Sequence, residues 1–206
     1  MRPLRCLALL LLSAALPVAA RATPLTIING NFATPPVAGG FATYNGGSTA
    51  ITGWTVTGNS VDLIGSYWQA PPLGGQSVDL DGNRPGGLSQ MLATVAGDTY
   101  TIGFELSGNP DSGPATKILD VTAGSASRVY DYTIGANTHA NMMYVSELFS
   151  FTATSGTTLL SFTSQDPSNS AYGPVIGNVA VVPEPVSAAL LGSGLFALGL
   201  VRRRRG

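Results

Sequence analysis

Thr99-Tyr100-Thr101-Ile102-Gly103-Phe104-Glu105-Leu106 decides the fold. Its apolar side chains fall on every second residue, and an extended chain turns successive side chains to opposite faces, so this is a strand with one face buried. Outward from it, the same reading predicts strands over Leu25–Asn29, Gly53–Thr57, Val61–Ile64, Ser77–Leu80 and Gly87–Thr94 on one side. On the other side it predicts Lys117–Thr122, Arg128–Thr133, Ser146–Ala153, Thr157–Thr163 and Val175–Val182. Gly, Asn, Asp and Pro separate these segments, and no stretch between them keeps a 3.6-residue period. So many short strands in succession predict an all-β fold, an antiparallel β-sandwich.

Composition agrees. The 206 residues include 26 Gly and 14 Pro, both of which weaken helix interiors. Apolar residues make up 44%, enough for a core and too many for a disordered chain. Charged residues make up only 10%, against about 25% in an average domain. The charges are also segregated. From Thr23 to Val182 three basic residues (Arg84, Lys117, Arg128) stand against ten acidic ones, a net −7. No basic face is available to replace phosphate counterions, which excludes nucleic acid as a partner.

The remaining basic residues lie at the two ends. Arg2 and Arg5 precede an apolar run, Leu7 to Leu16, followed by Pro17 and small residues, the pattern of a secretory signal peptide over 1–22. Cleavage is expected after Ala22, with Ala20 as the alternative. Cys6, the single cysteine, leaves with that segment, so the mature chain has no thiol or disulfide. At the other end, 183–206, Pro183-Glu184-Pro185 precedes sixteen uncharged residues, Val186 to Val201, and then Arg202, Arg203, Arg204 and Arg205. As a transmembrane helix, 186–201 would reach about 24 Å, short for a hydrocarbon core but workable with snorkelling arginines. The four arginines are costly to translocate, so the basic tail 202–206 is expected to stay cytoplasmic with the domain outside.

Two resemblances rest on these residues. The tail Pro183-Glu184-Pro185, apolar helix and arginine cluster resembles the PEP-CTERM sorting signal of Gram-negative bacteria that make exopolysaccharide; a simple tail anchor is the alternative. The resemblance implies an exosortase-type processing enzyme and the inner membrane as partners. Within 23–182, the series Ile28-Asn29-Gly30-Asn31-Phe32, Ile51-Thr52-Gly53-Trp54, Val61-Asp62-Leu63-Ile64-Gly65, Ser66-Tyr67-Trp68-Gln69, Ser77-Val78-Asp79-Leu80-Asp81-Gly82, Gly86-Gly87-Leu88-Ser89-Gln90, Gly108-Asn109-Pro110 and Ala171-Tyr172-Gly173-Pro174-Val175-Ile176-Gly177-Asn178-Val179 resembles the DUF642 domain, in the bacterial form called choice-of-anchor C. That resemblance implies a galactose-binding-like jelly roll and a link to cell-wall or extracellular polysaccharide. Related domains carry acidic calcium ligands where this chain has Ala33 and Gly177. Calcium draws most of its affinity from carboxylates, so the domain is expected to fold without calcium or any other cofactor.

Candidate chemistry is sparse. Tyr67, Trp68 and Gln69 sit in a Gly-, Ser- and Pro-rich stretch, where two adjacent aromatic residues cannot easily both turn inward. They read either as a glycan-binding group, with Tyr172 beside them, or as loop packing. Trp54, at the head of an apolar strand, reads as core. Asp79 and Asp81 share a strand face but are too close in sequence to flank a sugar as a catalytic pair. His139, the only histidine, reads as a solvated loop residue and supports neither a zinc site nor a triad. Arg84, beside Pro85-Gly86-Gly87, either clamps an acidic sugar or steadies a turn. The expectation is an exported, non-enzymatic, weakly polysaccharide-binding module; a structural or protein-adhesion module without a glycan ligand is the alternative.

Overall fold

The computed structural model describes residues 25–183. The signal segment with Ala20 and Ala22, Glu184, Pro185, the apolar segment 186–201 and Arg202–Arg205 lie outside the described residues. Among those described there is no helix. Eleven strands form two sheets in which every paired neighbour is antiparallel. β1 (Phe41–Asn45), β3 (Ser60–Ile64), β4 (Ser77–Asp79), β11 (Pro174–Val182), β6 (Thr99–Gly108) and β9 (Val145–Thr152) lie side by side in that order. The second sheet runs β2 (Thr55–Gly58), β5 (Gly86–Ala93), β10 (Thr157–Ser164), β7 (Thr116–Ala123) and β8 (Ala126–Thr133).

The alternation predicted for β6 is what joins the sheets. Ile102, Phe104 and Leu106 are buried beside Leu63, Val78 and Ile176 of their own sheet and Leu88, Leu119, Val121, Leu160 and Phe162 of the other. Trp54, 1% exposed, packs between Phe32 (centroids 5.4 Å apart) and Phe162 (6.1 Å), and its Nε1 donates to the Asn29 carbonyl. It is core, as expected.

Two strand assignments change. Leu25–Asn29 is not a strand. Its Leu-Thr-Ile-Ile sequence has strand character, but Asn29 and Phe32 both take positive φ and residues 28–31 form a turn. Asn-Gly-Asn tolerates the left-handed region that a strand cannot use. The turn locks onto the far end of the chain. Val179 N donates to the Gly30 carbonyl, at the β-bulge between Gly177 and Ala180 of β11. A Cβ on Gly30 would sit 1.8 Å from the Val179 oxygen, so only glycine fits. In place of the missing strand, β1 forms the edge of the larger sheet. Its residues alternate between exposed and half-buried, which left a weak apolar signal between two Gly-Gly pairs.

Candidate functional site

Cross-strand register places the site on the outer face of the six-stranded sheet. Thr43 of β1 pairs with Asp62 of β3, Asp62 with Asp79 of β4, and Asp79 with Val175 of β11. Directly paired residues share a face, so Thr43, Asp62 and Asp79 form a polar row on the side away from the main core. Ile64 and Val175 on this face join Trp68 and Met142 in a second, smaller core, with Tyr144 packed against it. The loops carrying Trp68 and Met142 therefore lie over part of this face. Beside them is an open cleft of about 210 Å³, floored by Asp62, Asp79 and Asn109 and walled by Phe41, Tyr67, Asp111 and Tyr172.

Tyr67 and Trp68, read from the sequence either as a glycan-binding group or as loop packing, take different positions. Trp68 is 6% exposed and its Nε1 donates to Ser77 Oγ at 2.9 Å. Its ring packs in the smaller core and holds the loop onto the sheet, leaving little of it open to the cleft that it helps line. Gln69 is likewise structural, since its Oε1 accepts from Met142 N and its carbonyl from the Tyr144 hydroxyl. Tyr67 and Tyr172 are each 37% exposed and Phe41 is 50% exposed, so three rings rim the cleft. Phe41 meets Tyr67 edge-on at 5.4 Å.

His139 is more than a solvated loop residue. Its Nε2 lies 2.6 Å from Asp111 Oδ1, and its ring is 4.6 Å from that of Tyr67. Asp111 Oδ2 accepts from the Tyr67 hydroxyl at 2.9 Å, a bond that raises the Tyr67 pKa, with smaller contributions from burial and the Asp111 and Tyr172 charges. Asp111 thus fixes both rings of one cleft wall. Neither Asp111 nor His139 was singled out for this. They lie on different loops, and only the tertiary fold brings them together.

Asp79 is almost wholly buried. Its carboxyl accepts from Asp81 N (2.9 Å), Gly173 N (3.0 Å) and Asn109 Nδ2 (2.7 Å). Burial pushes its pKa up to about 8, against the opposing pull of the hydrogen bonds from Asp81 and Asn109; the neighbouring charges of Asp81 and Asp62 add to the rise. Burial also raises Asp62, whose Oδ1 accepts from Thr43 Oγ1 at 2.6 Å. Asp81 lies deeper, and burial pushes it up to about 6. The hydroxyls of Ser164 and Ser170 stand close enough to oppose that rise, but neither Asp81 oxygen receives a well-directed hydrogen bond. Lys117 sits behind this group. It occupies the inward-facing row of β7 that Leu119, Val121 and Ala123 continue, and its ammonium donates to the carbonyls of Ser112 (2.8 Å) and Tyr172 (2.6 Å). Burial lowers its pKa, and Asp166, Asp79 and Asp81 partly offset this.

Ala33 and Gly177, the positions for which the resemblance implies calcium ligands, do not fit that ion. Ala33 offers no side-chain oxygen, and a Cβ on Gly177 would lie 2.5 Å from Pro71 Cγ. The Asn29 and Asn178 side chains are engaged by backbone groups of Thr34, Thr52, Leu73 and Gly74. Among the described residues no group of three His, Cys, Asp or Glu side chains converges as a metal site.

A two-sheet antiparallel sandwich with an aromatic-rimmed, carboxylate-floored cleft on one outer face defines the class of protein. More narrowly, the family described as "Protein of unknown function (DUF642)" matches residues 25–182, and the chain belongs to it. Halomucin of Haloquadratum walsbyi is 35% identical over 151 residues, covering 69% of this chain but only 2% of halomucin. Among solved structures, a family 35 carbohydrate binding module from Clostridium thermocellum superposes with a TM-score of 0.46 at 12% identity, covering 69% of this chain and 99% of that one. The exo-beta-1,3-galactanase of Phanerochaete chrysosporium gives 0.43 at 15% identity, covering 70% of this chain and 29% of the enzyme.

Proposed function

We propose that this protein is an exported, non-enzymatic module that binds polysaccharide weakly through the cleft on its six-stranded sheet. The observation that carries the reading is the cleft itself, where three partly exposed rings stand around hydrogen-bonding carboxylates and amides. Aromatic faces stack on the C–H faces of sugars, while planar carboxylates and amides bond the hydroxyls. A shallow, open site of this size supports weak affinity, which repeated sugars along a polymer would multiply. Asp79 and Asp81 are not placed as a catalytic pair across the cleft. The carboxyl of Asp79 is held by three N–H donors, and Asp81 does not line the cleft.

The remaining elements of the reading come from the two ends of the sequence. A signal peptide over 1–22 would export the chain. Pro183-Glu184-Pro185, the apolar segment 186–201 and Arg202–Arg205 would hold it in the inner membrane for an exosortase-type enzyme, which would hand the galactose-binding-like domain to the envelope or matrix.

Native gel electrophoresis through matrix polysaccharide tests the binding. The expected result is retarded migration of the purified protein that Tyr172→Ala abolishes while the circular dichroism spectrum is unchanged. Free migration through every glycan tried would favour the rival, a structural or adhesion module.

A further inference from the structure

We infer that the cleft selects polysaccharides carrying free amino groups, an inference that rests on the glycan-binding reading above. The cleft is lined by the acidic residues Asp62, Asp79 and Asp111 and by no Lys or Arg. Asp62 is the one best placed to meet a ligand. It is half-buried, Thr43 bonds one of its oxygens, and its other oxygen has no hydrogen-bond partner among the described residues. Asp111 already serves Tyr67 and His139, and Asp79 serves three N–H groups.

A half-buried carboxylate beside exposed aromatic faces has the chemistry that recognises an ammonium group. The carboxylate supplies a charge-assisted hydrogen bond, and the ring faces attract the cation, more strongly the further it is desolvated. The domain's net −7 draws a cationic polymer toward it over longer range. A uronic or sulfated sugar meets the reverse situation, with like charges brought together at the floor.

Two cations compete with this reading, and neither reaches the cleft surface. Lys117 is fully buried, its ammonium held by the carbonyls of Ser112 and Tyr172. Arg84 is exposed and adjoins Asn83, which lines the cleft, but Arg84 itself does not.

Calorimetric titration of the purified protein with three oligosaccharides tests the inference: deacetylated chitosan oligomers, the same oligomers fully N-acetylated, and oligogalacturonate. The deacetylated oligomer is expected to bind about tenfold more tightly than its acetylated counterpart, with the preference shrinking at high salt. Asp62→Asn, nearly isosteric, should erase the preference. Asp62→Glu, which keeps the charge, should retain part of it. Equal binding of the acetylated and deacetylated oligomers would overturn the amine inference and leave the glycan-binding reading standing. Tighter binding of oligogalacturonate, lost in Arg84→Ala, would overturn it in favour of an acidic ligand. Binding of none of the three, nor of any matrix glycan, would overturn both.

Discussion

The outer faces of the two sheets are built from similar strands but have different fates. On the five-stranded sheet, Met91 of β5 stands opposite Leu159 of β10, and both side chains remain exposed to solvent with Val129 of β8 on the same sheet. On the six-stranded sheet, loops carrying Trp68 and Met142 fold down over Ile64 and Val175 and leave a cleft beside the covered patch. The contrast shows how a sandwich acquires a site. The main core needs only the inner faces, and recognition appears where loops give an outer face a second, partial core. Polar groups in that layer, such as Asp79, are desolvated, which bare strand surfaces do not achieve.

The sharpest way to break this comparison is at the shared core. Trp54→Ala should cost roughly 3–5 kcal/mol, the usual range for a buried tryptophan, and should lower the melting temperature by roughly 10 °C or more. Trp68→Ala strikes only the second core. It should cost roughly 2–3 kcal/mol, because a small cluster under loops can collapse around the gap, and it should loosen the cleft wall that Tyr67 forms. A calorimetric scan in which the two variants lose equal stability would mean that the layers are one cooperative core.

The acids of the covered face give a pH signature. Asp79, Asp81, Asp62 and Asp166 all have pKa values raised by burial, to about 8 for Asp79 and about 6 for Asp81. The folded state therefore holds protons that the unfolded chain releases near its ordinary carboxylate pKa. Stability is fully present below that value and is lost as pH rises through the folded-state values. The lowered Lys117 pKa acts in the opposite sense, at higher pH. From these groups, melting temperature should be highest at or below about pH 4 and fall as pH rises toward about 8. Asp79→Asn should flatten the upper part of that fall; an unchanged slope in the variant would remove Asp79 as its source. The smallest effect is expected on the bare face, where Met91→Thr or Leu159→Thr should change stability by no more than about 0.5 kcal/mol and leave glycan retardation intact.

Much of the sandwich was legible because period-two alternation survives wherever one face is buried. It is plain in β6, and β7 repeats it so strictly that Lys117 occupies a core-facing position. The misreadings have definite causes. Ile27 and Ile28 suggested a strand, but Asn29-Gly30 imposed a turn. β1 went unseen because an edge strand with half-exposed side chains carries little apolar contrast. The cleft was only partly legible: the aromatic pair in a Gly-rich loop drew notice as either binding group or loop packing, and Tyr67 is the more exposed of the two. Which of the pair would be buried depended on Ser77, which meets the Trp68 indole from β4. The Asp111–His139 pair and the row Thr43–Asp62–Asp79 depend on register between distant segments, and local pattern does not contain register.

The seam between the first turn and the last strand bears on how the domain can be used. Gly30 and Val179 are hydrogen-bonded neighbours although nearly the whole domain lies between them. The first and last segments of the domain thus lie side by side. A unit tied off in this way can be spliced into a longer polypeptide, or placed ahead of a different tail, with little disturbance to its interior.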